Sequence, residues 1–220
     1  MKHKEALNNE IFSVITKAST NLKLQSYVIG GYVRDYLLKR GLKKDIDIVT
    51  LGDGINLAKE VSNLLPHKPK VKVFKTYGTA MLHFNDIDIE FVGARKESYS
   101  KESRNPKVEV GTLEDDQNRR DFTINTLAIS LSESDYGQLI DPFNGLKDLK
   151  DKCIKTPLEP DITYSDDPLR MLRAIRFASQ LNFKIQKASL DAITKNANRI
   201  GIITNERIVD EINKILQCPK

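Results

Sequence analysis

Tyr27-Val-Ile-Gly30-Gly31-Tyr-Val-Arg34-Asp35-Tyr-Leu-Leu38, followed by Lys44-Asp45-Ile-Asp47-Ile-Val49, is the stretch from which the rest of the chain can be placed. Its opening residues favour a buried strand, the glycine pair breaks it, Leu37 and Leu38 give a short helix an apolar side, and a second strand carries two carboxylates. Two glycines let backbone N–H groups approach a phosphate, because no Cβ intervenes and a positive φ costs little. The helix that starts after them adds the positive end of its dipole. Asp45 and Asp47 are two residues apart on a strand, so both leave one face, roughly 7 Å from each other. Hard divalent cations take carboxylate oxygens, and a pair of such ions can clamp a triphosphate. A Gly-Gly turn alone is usually only a turn, and Asp-x-Asp alone is usually a solvated face. Their succession, about fifteen residues apart, is what points to a metal-dependent nucleotide site.

Toward the N-terminus, Ala6, Ile11, Val14, Ile15, Ala18 and Leu22 recur at helical spacing and predict an amphipathic helix over 5–22. In the other direction Gly52-Asp53-Gly54 breaks the chain, and Ile55, Ala58, Val61 and Leu65 predict a helix over 55–65 that Pro66 and Pro69 end. Three short strands are predicted next, at 71–74, 79–84 and 87–92, separated by Tyr77-Gly78 and Asn85-Asp86. In the third, Asp86, Asp88 and Glu90 alternate onto one face; a solvent-facing edge strand accounts for at least two of them. One further carboxylate beside Asp45 and Asp47 would complete a site that polarises an attacking hydroxyl. Residues 94–106 are rich in Arg, Lys, Glu and Ser without an apolar period, and are expected to be a mobile loop, either a lid or a plain connection.

A second constellation runs from Thr112 to Ala128 and contains Arg119-Arg120-Asp121-Phe-Thr-Ile-Asn125. Thr112 with Asp115 predicts a capping box, with Glu114 and Asp116 as surface acids of the same helix. Of two adjacent guanidinium groups, one can reach phosphate oxygens while the other braces a carboxylate. Leu139-Ile-Asp141-Pro-Phe-Asn-Gly145-Leu-Lys-Asp148-Leu reads as a strand end, a turn and a short helix, a hinge without chemistry of its own. The third constellation is Ser165-Asp166-Asp167-Pro168-Leu-Arg170-Met-Leu-Arg173-Ala-Ile-Arg176-Phe. Pro168 suits the first turn of a helix that Ser165, Asp166 or Asp167 would cap, with Leu169, Leu172 and Ile175 as its buried stripe and Arg170, Arg173 and Arg176 as a basic one. An Asp at the helix start and an Arg three residues on offer acceptors and donors together, enough to hydrogen-bond the Watson–Crick edge of a base. Residues 186–217 read as two more helices broken near Gly201, with Ile200, Ile202, Ile208, Ile212, Ile215 and Leu216 on their apolar faces.

At 220 residues with 40% hydrophobic and 30% charged residues, the composition is that of an ordinary soluble protein. A formal charge of +5 favours a polyanionic partner. Cys153 and Cys218 form no Cys-x-x-Cys, which argues against zinc and a disulfide framework. The chain shows neither a signal peptide nor an apolar run of membrane length, so a cytoplasmic protein without membrane contact is expected.

G-G-x-V-R-D-x-L-L followed by D-x-D resembles the first motif of the class II tRNA nucleotidyltransferase (CCA-adding enzyme) and bacterial poly(A) polymerase family, within the polymerase-β-like superfamily. R-R-D-F-T-x-N-x-L at 119–127 resembles its second motif, D-P-F-x-G-x-x-D-L at 141–149 its head-to-neck connection, and D-D-x-x-R-x-x-R-A-x-R-F at 166–177 its base-reading motif, with Asp166 where Glu is usual. The likeness spans residues 25–217. It implies an α+β fold: a polymerase-β-like nucleotidyltransferase head with a small mixed sheet over 1–150, then a helical neck over 151–220, without the body and tail domains that grip tRNA. It implies Mg²⁺ on Asp45 and Asp47, with Glu90, ahead of Arg95-Lys-Glu97-Ser-Tyr99, as the third catalytic carboxylate. Gly30, Gly31, Arg34 and Arg120 are then expected at the triphosphate, and Asp121 and Asn125 in the local fold; Asp35 is expected to ion-pair locally with an arginine. Asp167 and Arg170 would read the base, with Arg173 and Arg176 supporting them. The loop at 94–106 would help nucleotide selection, although Arg104-Asn105-Pro106 stands where R-R-P is common. The expected partners are CTP, ATP and a tRNA or other RNA 3′ end, and the expected reaction is CCA addition with release of pyrophosphate. Poly(A) synthesis or A- or C-only addition shares these motifs. A catalytically silent RNA-binding module would have lost Asp45, Asp47 or Glu90, and all three are present. A small-molecule nucleotidyltransferase is disfavoured by the base-reading helix and the basic charge.

Overall fold

The computed structural model describes the backbone of residues 2–41, 44–100 and 103–218, and their side chains except at 99, 100 and 103–105. In chain order the elements are α1 Glu10–Leu22, β1 Ser26–Ile29, α2 Gly31–Leu37, β2 Asp45–Thr50, α3 Gly54–Leu64, β3 Val71–Phe74, β4 Thr79–Phe84, β5 Ile87–Gly93, β6 Arg95–Ser100 and β7 Ser103–Val110. They continue as α4 Leu113–Asn118, β8 Ala128–Ser130, β9 Leu139–Ile140, α5 Gly145–Lys150, β10 Cys153–Ile154, α6 Pro160–Asp166, α7 Leu169–Leu181, β11 Lys184–Ile185, α8 Lys187–Asn196 and α9 Asn205–Leu216. They gather into two compact units: residues 1–96, 110–116 and 125–142 in one, and 97–109, 117–124 and 143–220 in the other.

The first unit is built on a mixed sheet of order β3-β4-β5-β2-β1-β8-β9, in which β2 and β5 run parallel and the other neighbours antiparallel. Alternation decides its two faces. Ile46, Ile48, Leu82, Ile89 and Phe91 are buried on the side where α1 and α3 pack. Ser19 of α1 donates to Ser26 of β1 at 2.8 Å, which fixes that helix against the sheet. Close approach of α3 depends on Gly54, where a Cβ would stand 2.7 Å from the Val92 carbonyl carbon. Asp53 caps the helix by accepting from the N–H groups of Ile55 and Asn56 at 2.8 and 3.1 Å. The opposite face carries Asp45, Asp47, Asp88 and Glu90.

Several expectations are corrected here. The helix expected over 5–22 is a 3₁₀ turn at Lys4–Leu7 and then α1, because Asn9 accepts from Ile11 N at 3.0 Å and restarts the helix. The described residues of 94–106 are not an irregular loop; β6 and β7 pair as a two-stranded sheet. Lys96, Ser98, Lys107, Val108, Glu109 and Val110 are all exposed, and from Arg95 to Pro106 the sequence has no apolar alternation to betray the ribbon. The Arg104 and Asn105 side chains lie outside the described residues. β5 is an interior strand, not an edge. Asp116 is fully buried, three residues from Leu113 and so on the same helix side, whereas Glu114 is exposed.

The second unit is mainly helical, with α6 against α8, α7 against α9, and a parallel β10–β11 pair. Phe122 meets Phe177 edge-on at 5.7 Å between ring centroids. The buried stripe of α7 is Leu169, Met171, Ala174, Phe177 and Leu181; Ile175 is 42% exposed and Leu172 only half-buried. The stripe is rotated from the expected one because the arginines are themselves drawn inward by buried acids, as described below. The break near Gly201 is present as a 3₁₀ turn at Ala197–Ile202 between α8 and α9.

Candidate active site

Sheet register assembles the carboxylates. β2 pairs with β5 so that Asp45 lies opposite Asp88 and Asp47 opposite Glu90. Paired residues on neighbouring strands share a face and stand about 4.8 Å apart. Glu90 is therefore brought beside Asp47, forty-odd residues away in sequence. Asp88, read from sequence as solvated, shares the face but is held by His83, whose Nδ1 is 2.8 Å from its Oδ1. Asp86 pairs with Lys44 at 3.1 Å on the exposed rim.

The glycine turn closes the end of β1. Gly30 has φ 82° and ψ −135°, a conformation that glycine adopts and other residues resist. Its N–H donates to Leu127 O at 3.1 Å and is thereby engaged; the first internal helical bond is Arg34 N to Gly30 O, and the N–H groups of Gly31, Tyr32 and Val33 precede it. Arg34 is 2% exposed: it donates through Nε and Nη2 to Asp35 at 2.8 and 3.1 Å, and through Nη1 to Asn125 at 2.7 Å. A Cβ on Gly31 would sit 3.7 Å from Arg34 Nη2, so the guanidinium lies directly under the turn. Carboxylate oxygens suit a hard divalent cation, and Asp45, Asp47 and Glu90 present them on adjacent strands of one open face, so the donor set fits such an ion. Among the described residues no three or more His, Cys, Asp or Glu side chains are already drawn into a metal-holding cluster.

In the first unit, the capping box at the start of α4 forms: Thr112 N and Oγ1 both donate to Asp115 Oδ2 at 2.8 Å, and Asp115 N donates back to Thr112 Oγ1 at 3.2 Å. The backbone bond from Thr112 holds the Asp115 carboxyl below its usual range. Of the two arginines after this helix, Arg119 braces the buried carboxylate of Glu97 at 3.3 Å. Arg120 follows in the turn, half-buried, its N–H bonded to Gln117 O.

Asp167 sits in extended conformation between α6 and α7, and one of its carboxylate oxygens accepts from Leu169 N at 3.2 Å, so it does cap the helix. Arg170 is 9% exposed and donates to the carbonyls of Arg119 at 2.6 Å and Thr163 at 3.4 Å, which fixes the plane of its guanidinium. Arg173 clasps Asp121 Oδ2 at 2.6 and 2.8 Å; this carboxylate, more than anything else, raises the pKa of the guanidinium. Arg176 donates to Glu211 at 2.6 Å and lies over the Phe177 ring at 4.1 Å. Glu211, 4% exposed, was not singled out from sequence; it also lies 3.9 Å from Arg173. The available signal was an acid inside the Ile208–Ile212–Ile215 stripe of α9.

Comparison with known proteins agrees with this layout. A family model described as the poly A polymerase head domain matches residues 26–155, and another, a probable RNA and SrmB-binding site of polymerase A, matches 182–220. The A-adding tRNA nucleotidyltransferase of Aquifex aeolicus is 43% identical over 197 residues, which is 88% of this chain and 23% of that protein. The CCA-adding enzyme of Anoxybacillus flavithermus is 38% identical over 197 residues, 89% of this chain and 47% of its own. The solved structure of the Thermotoga maritima CCA-adding enzyme complexed with tRNA superposes with a TM-score of 0.84 at 30% identity, covering 100% of this chain and 51% of that one. A CCA-adding enzyme with CTP gives 0.82 at 32% identity over 96% of this chain and 47% of its own. The chain thus spans about half, or less, of the length of these relatives. With its glycine turn, its in-register acids and most of its length matched by the head-domain model, this chain belongs to the poly(A) polymerase and tRNA nucleotidyltransferase family of the polymerase-β-like superfamily.

Proposed function

We propose that the chain carries the catalytic head, 1–150, and the helical neck, 151–220, of an RNA nucleotidyltransferase that adds C and A to tRNA 3′ ends from CTP and ATP. The observation that carries this reading is the Asp47–Glu90 register with Asp45 on the same face. In the reaction, the RNA 3′ hydroxyl attacks the α-phosphate of the nucleotide and pyrophosphate leaves. Mg²⁺ held by Asp45 and Asp47 would neutralise charge on the attacking and leaving oxygens and lower the hydroxyl pKa. Glu90 adds a carboxylate beside Asp47 to take or orient the hydroxyl proton. The turn at Gly30 and Gly31 holds the triphosphate through its backbone; Arg34, fixed by Asp35 and Asn125, braces that turn from beneath. In the second unit, Arg120 is assigned to phosphate oxygens, and Asp167 with Arg170 to the edge of the base. Arg173 and Arg176 hold that junction through Asp121 and Glu211.

Addition of A alone is the second reading, favoured by the 43% identity to the Aquifex aeolicus A-adding protein; poly(A) synthesis is the third outcome. The test supplies tRNAs lacking CCA, CA or A with CTP, ATP or both. Sequential C and A incorporation, lost in Asp45→Ala, is expected. Single A addition to a tRNA ending in CC, without use of CTP, selects the second reading, and long A tails the third. An Asp45→Ala variant as active as the wild type would overturn the mechanism.

A further inference from the structure

The row of paired residues that holds the acids continues past them to the edge of the sheet. Lys72 of β3 lies opposite Met81 of β4, Met81 opposite Glu90 of β5, and Glu90 opposite Asp47 of β2. Because partners across a ladder share a face, Lys72 emerges on the carboxylate face, about 10 Å from Glu90 and about 14 Å from Asp47. Phe74, two residues on, shares that face and is 43% exposed, an unusual setting for a ring at the end of an outer strand. Tyr77 follows at 67% exposure.

The charge of the segment that carries these rings is of one sign. No Asp or Glu occurs between Glu60 and Asp86, while Lys68, Lys70, Lys72 and Lys75 all fall there. Lys72 and Lys75 are exposed. Among the described residues, β3 is the outermost strand of the sheet beyond β4. Lysines commonly guard an exposed edge against pairing with another chain. That account leaves the exposed phenylalanine and tyrosine unexplained. Cations alternating with exposed rings are what single-stranded nucleic acid requires, phosphates going to the ammonium groups and base faces to the rings.

The geometry points to the β3 edge, Lys72 and Phe74 with Lys70, Lys75 and Tyr77 beside them, as a track for the single-stranded nucleotides just upstream of the RNA 3′ end. It rests on the proposed function for the direction of the strand alone; RNA binding is read without any transfer. The track lies in the same unit and on the same face as the carboxylates, so a strand lying across β3 and β4 arrives at Glu90.

The test measures fluorescence anisotropy of a labelled single-stranded oligoribonucleotide ending in CC, titrated with the full chain and its variants over a range of salt. Lys72→Ala is expected to weaken binding and to reduce the slope of log K against log salt by about 0.7, the loss of one phosphate contact. Phe74→Ala is expected to weaken binding by about fivefold or more and to leave the salt slope unchanged. Lys72→Arg and Phe74→Tyr restore binding, and affinity for CTP and ATP is the same in every variant. Thermal melting checks that these exposed substitutions leave the fold intact. Binding by Lys72→Ala and Phe74→Ala within twofold of wild type would overturn the track and leave the lysines as edge guards. If the wild type transfers no nucleotide while the variants still lose RNA affinity, the proposed function fails and the track stands.

Discussion

At Gly31 the steric and the chemical demand for glycine separate. An alanine there would meet Arg34 Nη2 at an ordinary 3.7 Å, so Gly31→Ala should leave the melting temperature close to wild type. If a triphosphate lies against this backbone, the same methyl group stands in its way, and transfer should fall at least tenfold with little change in fold. Full activity in Gly31→Ala would remove the turn from the phosphate site. Gly30→Ala is a different experiment: at φ 82° and ψ −135° it strains the backbone by about 1–3 kcal/mol whatever binds there. Buried phenols give a residue-scale pH dependence. Tyr32 and Tyr164 are 3% and 0% exposed, and burial pushes both pKa values up to about 12. At neutral pH both are protonated, folded or unfolded, and contribute nothing through titration. Above pH 10 the unfolded chain loses these protons while the folded chain keeps them, so stability declines up to pH about 12, by roughly 2–3 kcal/mol per tyrosine. Alkaline denaturation of Tyr32→Phe and Tyr164→Phe should each lack one such step. At pH 7, Tyr32→Phe should cost about 1 kcal/mol for its bond to Ala6 O, whereas the Tyr164 hydroxyl, like that of Ser189, makes no well-formed hydrogen bond and its loss should be near neutral.

Elements were legible in the sequence where one face is buried and the other is not. β4, β5 and α3 fall within a residue or two of their predicted limits because apolar alternation, or helical spacing, reflects a single covered side, whereas the largely exposed β3 keeps its limits through the Val71–Val73 alternation alone. The β6–β7 ribbon was missed because the sequence from Arg95 to Pro106 carries no such signal. On α7 the helix was legible and its buried stripe was not, since guanidinium groups paired to Asp121 and Glu211 occupy inward positions that a hydropathy pattern assigns to leucine. The cap of α3 was visible only as a break at Gly52-Asp53-Gly54. Asp53→Ala removes the acceptor for two N–H groups and should lower stability by about 1 kcal/mol, measured by urea denaturation, with no effect on nucleotide binding. A loss of nucleotide affinity instead would show that this helix end reaches the site.

For the molecule as a whole, the first unit's candidate site was legible in part: Asp45 and Asp47 from a two-residue spacing, Glu90 from a family likeness rather than from any local pattern. What no spacing could give was their meeting, because pairing between β2 and β5 is a property of the sheet. These are the two strands that run parallel within an otherwise antiparallel arrangement, separated by α3, β3 and β4. A parallel pair cannot be closed by a tight turn, and its loop must be drawn together before any ladder bond compensates. Hairpins such as β3–β4 and β4–β5, by contrast, can form within microseconds from neighbouring residues. Refolding from denaturant should therefore show strand signal by circular dichroism before divalent-ion binding or transfer activity returns, and simultaneous recovery would contradict this order. A one-residue slip of β5 against β2 would also turn Glu90 toward the helices. The pairing of β2 with β5 consequently works as a checkpoint on the chain's own assembly: a half-folded molecule, whatever helices and hairpins it already has, does not bring Asp47 beside Glu90, and on the proposed function it would hold no metal and consume no nucleotide.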